Sequence, residues 1–188
     1  MAGILKVDKY QDFNGNDIMT SDGSGTITLS SGMNTAVAAG TNNTPAFHAY
    51  KSSNDNSVTD NTYVKVTLES ELLDSDGAWD VSTSKFTPQV AGKYLIMAGV
   101  YLVAGSTSTL RNSYTLIYKN GSEVGYARNG FQANDIHLSH VTYQAIVDMN
   151  GSTDYVELYA AIDVTSGTPY FGKGSKSTYM CGYKLIGA

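Results

Sequence analysis

Residues 67–103 read TLESELLDSDGAWDVSTSKFTPQVAGKYLIMAGVYLV, and the chain is organised around them. The stretch carries the single Trp and the longest apolar run of the sequence. Trp79, Phe86, Gly92 and Tyr94 stand out against polar surroundings. The pattern predicts a turn, a short strand, a second turn over Pro88 to Gly92, and a long strand from Lys93 to Val103. A strand apolar on both sides must be covered on both sides. One cover is the rest of the domain. The other is expected to be a second copy of the chain.

The chain has 188 residues, enough for one all-β domain and an appendage. Charged residues make up 15%, below the usual quarter, and Ser, Thr, Asn and Gly take their place. With 41% hydrophobic residues the chain is not of a disordered composition. Fourteen Tyr stand against five Phe, and Tyr suits half-buried strands and contact surfaces. The net charge of −5, with no basic run, argues against nucleic acid as a partner. No apolar run reaches membrane-spanning length. The N-terminus lacks a signal-type apolar core, so synthesis in a cytoplasm is expected. A lone Cys181 excludes an internal disulfide and is read as a buried structural thiol.

Outward from the central stretch, strands recur at short intervals. Ala46 to Tyr50, Tyr63 to Leu68, His137 to Met149, Asp154 to Val164 and Tyr179 to Ile186 all carry strand patterns. Asn112 to Tyr118 and Glu123 to Ala127 form a hairpin around Asn120-Gly121, a pair suited to a tight turn with positive φ. Ser166 to Ser177 reads as a Gly-rich loop. Strands of unequal length, joined alternately by hairpins and long connections, predict an all-β Greek-key jelly-roll sandwich. Residues 45–188 are expected to form it. Residues 1–44 differ: two weak strands (Ile4 to Tyr10 and Thr26 to Leu29) cannot make a core of their own, so a docking or assembly arm is expected.

Leu68, Asp74, Trp79, Phe86, Gly92, Tyr94 and Ile96 fall without a gap on the spacing of the C1q-like domain signature. Two departures, Leu68 and Ile96, put an aliphatic side chain where the family has an aromatic. Pro45 to Ala49, Thr153 to Leu158 and Met180 to Leu185 resemble the family's opening, penultimate and closing strands. The resemblance covers residues 45–188 and implies the C1q/tumour necrosis factor-like jelly roll, in a homotrimer. Parity along the long strand gives the candidate interface: Leu95, Met97 and Tyr101 point opposite to Tyr94 and Ile96.

The collagen-like repeat and signal peptide of secreted animal members are absent. The leader ILKVDKYQDFNGNDIMTSDGSGTITLS resembles instead the short arms that open bacteriophage virion proteins. That resemblance implies a virion surface protein, on the head or in a fibre, docked to other virion proteins by its arm. A host cell-surface glycan or protein is the expected adhesive ligand. Alternatives are a tail-fibre receptor-binding tip and a stand-alone C1q-like lectin.

No catalytic set is identified, and the protein is read as not an enzyme. His137 and His140 are an odd number apart, which on a strand puts them on opposite faces. Asp74-Ser75-Asp76-Gly77 opens like a calcium loop but lacks the later ligands, so no metal or cofactor is assigned and an Asx turn is expected. Tyr126, Arg128, Phe131, Tyr170 and Phe171 are the candidate surface-recognition residues, because Tyr and Arg are frequent in binding hot spots.

Overall fold

The computed structural model describes residues 8–31, 43–55, 57–105, 107–131 and 133–187. They divide into a small unit within Met1–Asn42 and a large one from Asn43 to Ile186.

The small unit is a three-stranded antiparallel sheet of β1 (Lys9–Gln11), β2 (Asp17–Ser21) and β3 (Ile27–Leu29). β1 and β3 lie within or overlap the expected strands, and β2 between them was not expected. Residues 4–7 of the first expected strand, and 1–3 and 32–42 of the arm, lie outside the described residues. With almost no core, this sheet leans on its turns. The Asp12 carboxylate accepts the Asn14 and Asn16 N–H groups at 2.9 Å. Asp22 accepts those of Ser24 and Thr26 at 2.8 and 3.1 Å, and its carboxyl is drawn down to about 2 by the Ser24 side chain first. Such Asx bonds supply the turn geometry that buried apolar area supplies elsewhere.

The large unit contains β4 (Ala46–Tyr50), β5 (Val64–Lys65), β6 (Ser70–Asp74), β7 (Trp79–Asp80), β8 (Lys85–Phe86), β9 (Gly92–Val103), β10 (Leu110–Lys119), β11 (Ser122–Gly130), β12 (Leu138–Met149), β13 (Val156–Val164), β14 (Tyr170–Gly172) and β15 (Tyr179–Lys184). They form two sheets. One runs β11-β10-β13-β8-β7, with β5 also on β13, and the other β12-β9-β15-β4-β6, with β14 also on β9. For brevity these are the D sheet, built on β13, and the C sheet, built on β9. The expected Tyr63 to Leu68 strand is only Val64–Lys65, because Val66 bonds on to Leu158 O and Leu68 N–H turns to Ser84 Oγ. Asn120 (φ 51°) and Gly121 (φ 77°) make the hairpin turn, both left-handed as the Asn-Gly pair requires.

The core between the sheets is aromatic at one end. Phe47 stacks between Trp79 (5.3 Å) and Phe86 (4.1 Å), and the edge of Phe86 meets Tyr94 at 5.7 Å. Leu68, Ile96, Ala98, Leu102, Leu158 and Phe171 continue it. Toward the other end Ser113 Oγ donates to Ser139 Oγ at 3.0 Å, and Thr115 Oγ1 to Val141 O at 2.9 Å, so polar inward residues are satisfied across the layers. Lys51, fully buried, reaches Asp55 at 2.8 Å and Glu69 at 3.2 Å. Burial alone would raise the Glu69 carboxyl, but the Ser52 N–H and the Lys51 ammonium outweigh it and hold it low.

Each residue of the signature has a structural task here. Leu68, Trp79, Phe86, Tyr94 and Ile96 are core. The Asp74 carboxylate accepts the N–H groups of Ala78 (2.9 Å) and Trp79 (3.1 Å), four and five residues on rather than the two of the expected Asx turn, and so closes a wider loop that delivers the indole inward. Gly92 takes φ 148°, where a side chain would be strained. Because Phe47 sits between two rings, Phe47→Ala is expected to cost about 3–5 kcal/mol. A urea unfolding curve with a shifted midpoint and unchanged slope measures it.

Candidate functional site

A two-layer sandwich has two outer faces, and here their chemistry differs. On the C sheet, β9 and β12 pair Leu95 with Ile146, Met97 with Gln144, Gly99 with Thr142, Tyr101 with His140 and Val103 with Leu138. β15 continues these rows with Tyr183, Cys181 and Tyr179 opposite Leu95, Met97 and Gly99. β4 adds Ala46, His48 and Tyr50. The parity read from sequence is the one observed: Tyr94, Ile96 and Ala98 are buried inward, while Leu95, Met97 and Tyr101 lie together on this outer face, half-buried. Ile146 is 62% exposed and Leu138 43%. A recess of about 430 Å³ opens among Met97, Thr142, Gln144 and Tyr179.

Two rings lie flat on this face because glycines leave room for them. A Cβ on Gly99 would come within 2.7 Å of the Tyr179 ring and 3.1 Å of His140 Nε2. One on Gly172 would come within 2.6 Å of the Tyr101 ring. His140 Nε2 lies 2.8 Å from Ser177 O, which fixes its imidazole over the same row. Burial of His48 lowers its pKa, with Lys176 adding to the effect, so this face is uncharged at His48 near neutrality. Burial raises the Cys181 thiol, which keeps it in the inert SH form.

The outer face of the D sheet is phenolic. Tyr114 lies opposite Arg128 and Ala161, and Leu116 opposite Tyr126 and Tyr159. Tyr63 packs on Tyr114 (5.9 Å), Tyr114 on Tyr126 (6.0 Å), and Tyr118 stacks on Tyr159 (4.1 Å). Arg128 lies over the Tyr114 ring at 5.5 Å, and Lys85 over Tyr155 at 3.7 Å. Beneath them Leu116 and Ala161 are buried although they point away from the main core. Tyrosine rings therefore form the cover that no third layer supplies. Glu157, also buried on this side, is met by Lys65 and by Lys85. Burial first, and neighbouring phenols or carboxylates second, raise the pKa of Tyr63, Tyr118 and Tyr159, so these hydroxyls stay protonated donors.

The five expected recognition residues do not form one site. Tyr126, 49% exposed, and Arg128 belong to the phenolic face. Phe171 corrects the expectation: it is fully buried in β14 opposite Leu102, because the Gly-rich segment expected to be a loop pairs with β9 and turns this ring into the core. Phe131 is half-buried and packs on the core as well. Tyr170 lies opposite Val103 at the margin of the C-sheet face. Tyr63, Tyr114, Tyr118 and Tyr159 were missed. Each looked like an ordinary strand residue, and only cross-strand register brings them together.

Among the described residues no three His, Cys, Asp or Glu side chains are grouped to hold a metal ion. His48 sits opposite Cys181 on β15, His140 opposite Tyr101 on β9, and His137 Nδ1 lies 3.2 Å from Thr107 O.

No protein-family model and no curated protein matches the sequence. Solved structures do match in shape. Murine APRIL is similar with a TM-score of 0.55 at 10% identity, over 74% of this chain and 98% of that one. The globular domain of zebrafish complement 1qA gives 0.51 at 12% identity, over 75% and 96%. Eiger TNF from S. frugiperda gives 0.53 at 12% identity, over 76% and 93%. The fold is the C1q/TNF-type jelly roll. In this jelly roll β9, between β12 and β15, is the strand of the C sheet whose outer side carries Leu95, Met97 and Tyr101.

Gly99→Val is expected to push Tyr179 off the face and to destabilise the domain by about 1–3 kcal/mol. The shift of the thermal midpoint against wild type reads the effect.

Proposed function

We propose that the chain is a non-enzymatic bacteriophage virion protein: a C1q-like jelly roll that assembles as a homotrimer on the particle surface and is anchored by its N-terminal arm. The outer face of the C sheet carries this reading. Leu95, Ile146 and Met97 lie together toward one end of it and Leu138 at the other, and an open recess adjoins Met97. A monomer would leave these aliphatic side chains in water, whereas a cyclic assembly buries them. Burial holds His48 and Cys181 on the face uncharged, which lowers the cost of covering them.

The virion setting is supported by the arm. Its residues resemble the openings of phage surface proteins, and it forms a separate unit held by exposed Asx turns. Head decoration and a fibre tip share this architecture. Of the two placements we favour the head. Three equal copies would turn weak contacts with a host surface into a firm hold. No turnover is required for that role.

Sedimentation equilibrium is expected to give three times the 20.1 kDa chain mass, and Met97→Glu is expected to give a folded monomer. A wild-type chain that stays monomeric at micromolar concentration overturns the assembly. Deleting residues 1–44 is expected to leave the trimer intact and remove the domain from purified particles, as read by immunogold labelling. Particles that retain the truncated domain at wild-type density overturn the arm's anchoring role.

A further inference from the structure

The phenolic face of the D sheet is not used by the assembly proposed above, and its chemistry is of another kind. The C-sheet face presents Leu, Met and Ile. The D-sheet face presents tyrosine hydroxyls and rings, with its aliphatic residues Leu116 and Ala161 buried beneath them. The first suits a dry contact with another copy. The second suits a hydrated ligand that offers both C–H surfaces and hydroxyl groups.

Arg128 adds a charge and a direction. Its Nε and Nη2 donate to Asn112 Oδ1 at 3.2 and 2.6 Å. Asn112 in turn donates its amide Nδ2 to the Asp163 carboxylate, which fixes which way the amide faces. A guanidinium has five N–H donors in a planar fork. Two are spent on Asn112, and the end-on pair of amino groups is left for a ligand. Among the described residues no carboxylate lies within ion-pair distance of Arg128, as also of Arg111, Lys173, Lys176 and Lys184, whereas Lys9, Lys51, Lys65, Lys85, Lys93 and Lys119 each have one. Of the unpaired cations Arg128 is the one set over a tyrosine of the phenolic face. In a chain of net charge −5, this cation is held in place, uncancelled, beside exposed rings.

We propose that this face binds an acidic sugar chain, with Arg128 taking the carboxylate of a uronic acid unit and Tyr126, Tyr114 and Tyr63 taking the sugar rings. The end-on fork matches a carboxylate in two parallel hydrogen bonds. The rings are locked by one another at 5.9 and 6.0 Å, so little side-chain freedom is lost on binding. The site deepens the adhesive part of the proposed function by naming a ligand class. It lies within one chain, so it stands or falls independently of the trimer.

Calorimetric titration of the full chain with oligogalacturonate tests it, alongside a neutral galactan oligosaccharide and polyglutamate. Oligogalacturonate is expected to bind at one site per chain, with both controls at least about tenfold weaker. Arg128→Gln is expected to weaken binding about tenfold or more, and Tyr126→Ala by a similar factor, with sedimentation unchanged. Both side chains are exposed, so neither variant threatens the fold. A flat titration with oligogalacturonate overturns the proposal. So does equal binding of polyglutamate, which would make the surface a docking site for acidic protein, or unchanged affinity in Arg128→Gln. A trimer that fails to bind refutes this site alone, and a monomer that binds refutes the trimer alone.

Discussion

The structure depends on one constraint: a twelve-residue strand, β9, that is apolar on alternate residues of both its faces. Inward, it meets the stacked rings of Phe47, Trp79 and Phe86 and is closed by the chain itself. Outward, no third layer among the described residues of the same unit lies over it. Every strand that flanks it inherits the problem, because Ile146 and Leu138 on β12 and Tyr179 and Cys181 on β15 are in register with its outward residues. The fold answers in part by laying Tyr179 over Gly99 and Tyr101 over Gly172. That shields backbone but leaves the aliphatic row open. The demand for a further cover is thus posed by the register of one sheet rather than by any single residue.

The same register explains which parts of the molecule could be read from sequence. Alternation along one strand is local, so the inward set Tyr94, Ile96, Ala98 and the outward set Leu95, Met97, Tyr101 were legible from residues 93–103 alone. The spaced positions from Leu68 to Ile96 were legible because each is a core contact or a turn requirement close in the chain. Short strands were not. β14 pairs with β9 across a separation of some 70 residues, and nothing in Tyr170-Phe171-Gly172 announces a partner. Phe171 was therefore placed in a loop, although its phenyl ring fills the core. In the same way Tyr114, Tyr126 and Tyr159 come from three strands and Tyr63 from the residue just before β5, and only the pairing of β5, β10, β11 and β13 makes them a surface.

The excess of Tyr over Phe acquires a physical meaning once the faces are separated. Phe47, Phe86 and Phe171 are fully or almost fully buried between the sheets. Most tyrosines lie on the outer faces, half-buried, where a phenol can seal aliphatic carbon with its ring and still hydrogen-bond to water. A Phe in place of Tyr126 or Tyr63 would give the same seal and a more adhesive, less soluble surface. Tyrosine lets a two-layer protein carry a second, thin apolar layer on its outside without a third sheet. On the D sheet that layer buries Leu116 and Ala161 and shields Glu157 with its lysines.

This construction also bears on how a ligand would be held. Rings that already pack on each other and on the sheet are a rigid floor, and the entropy of ordering them is settled by folding rather than by binding. Arg128 shares that property through Asn112 and Asp163. The C-sheet face differs: its recess is lined by the flexible side chains of Met97 and Gln144, which adapt to whatever packs on them. An adaptable face and a rigid phenolic one lie back to back on a single sandwich, so the proposed assembly and the proposed recognition would not compete for one surface.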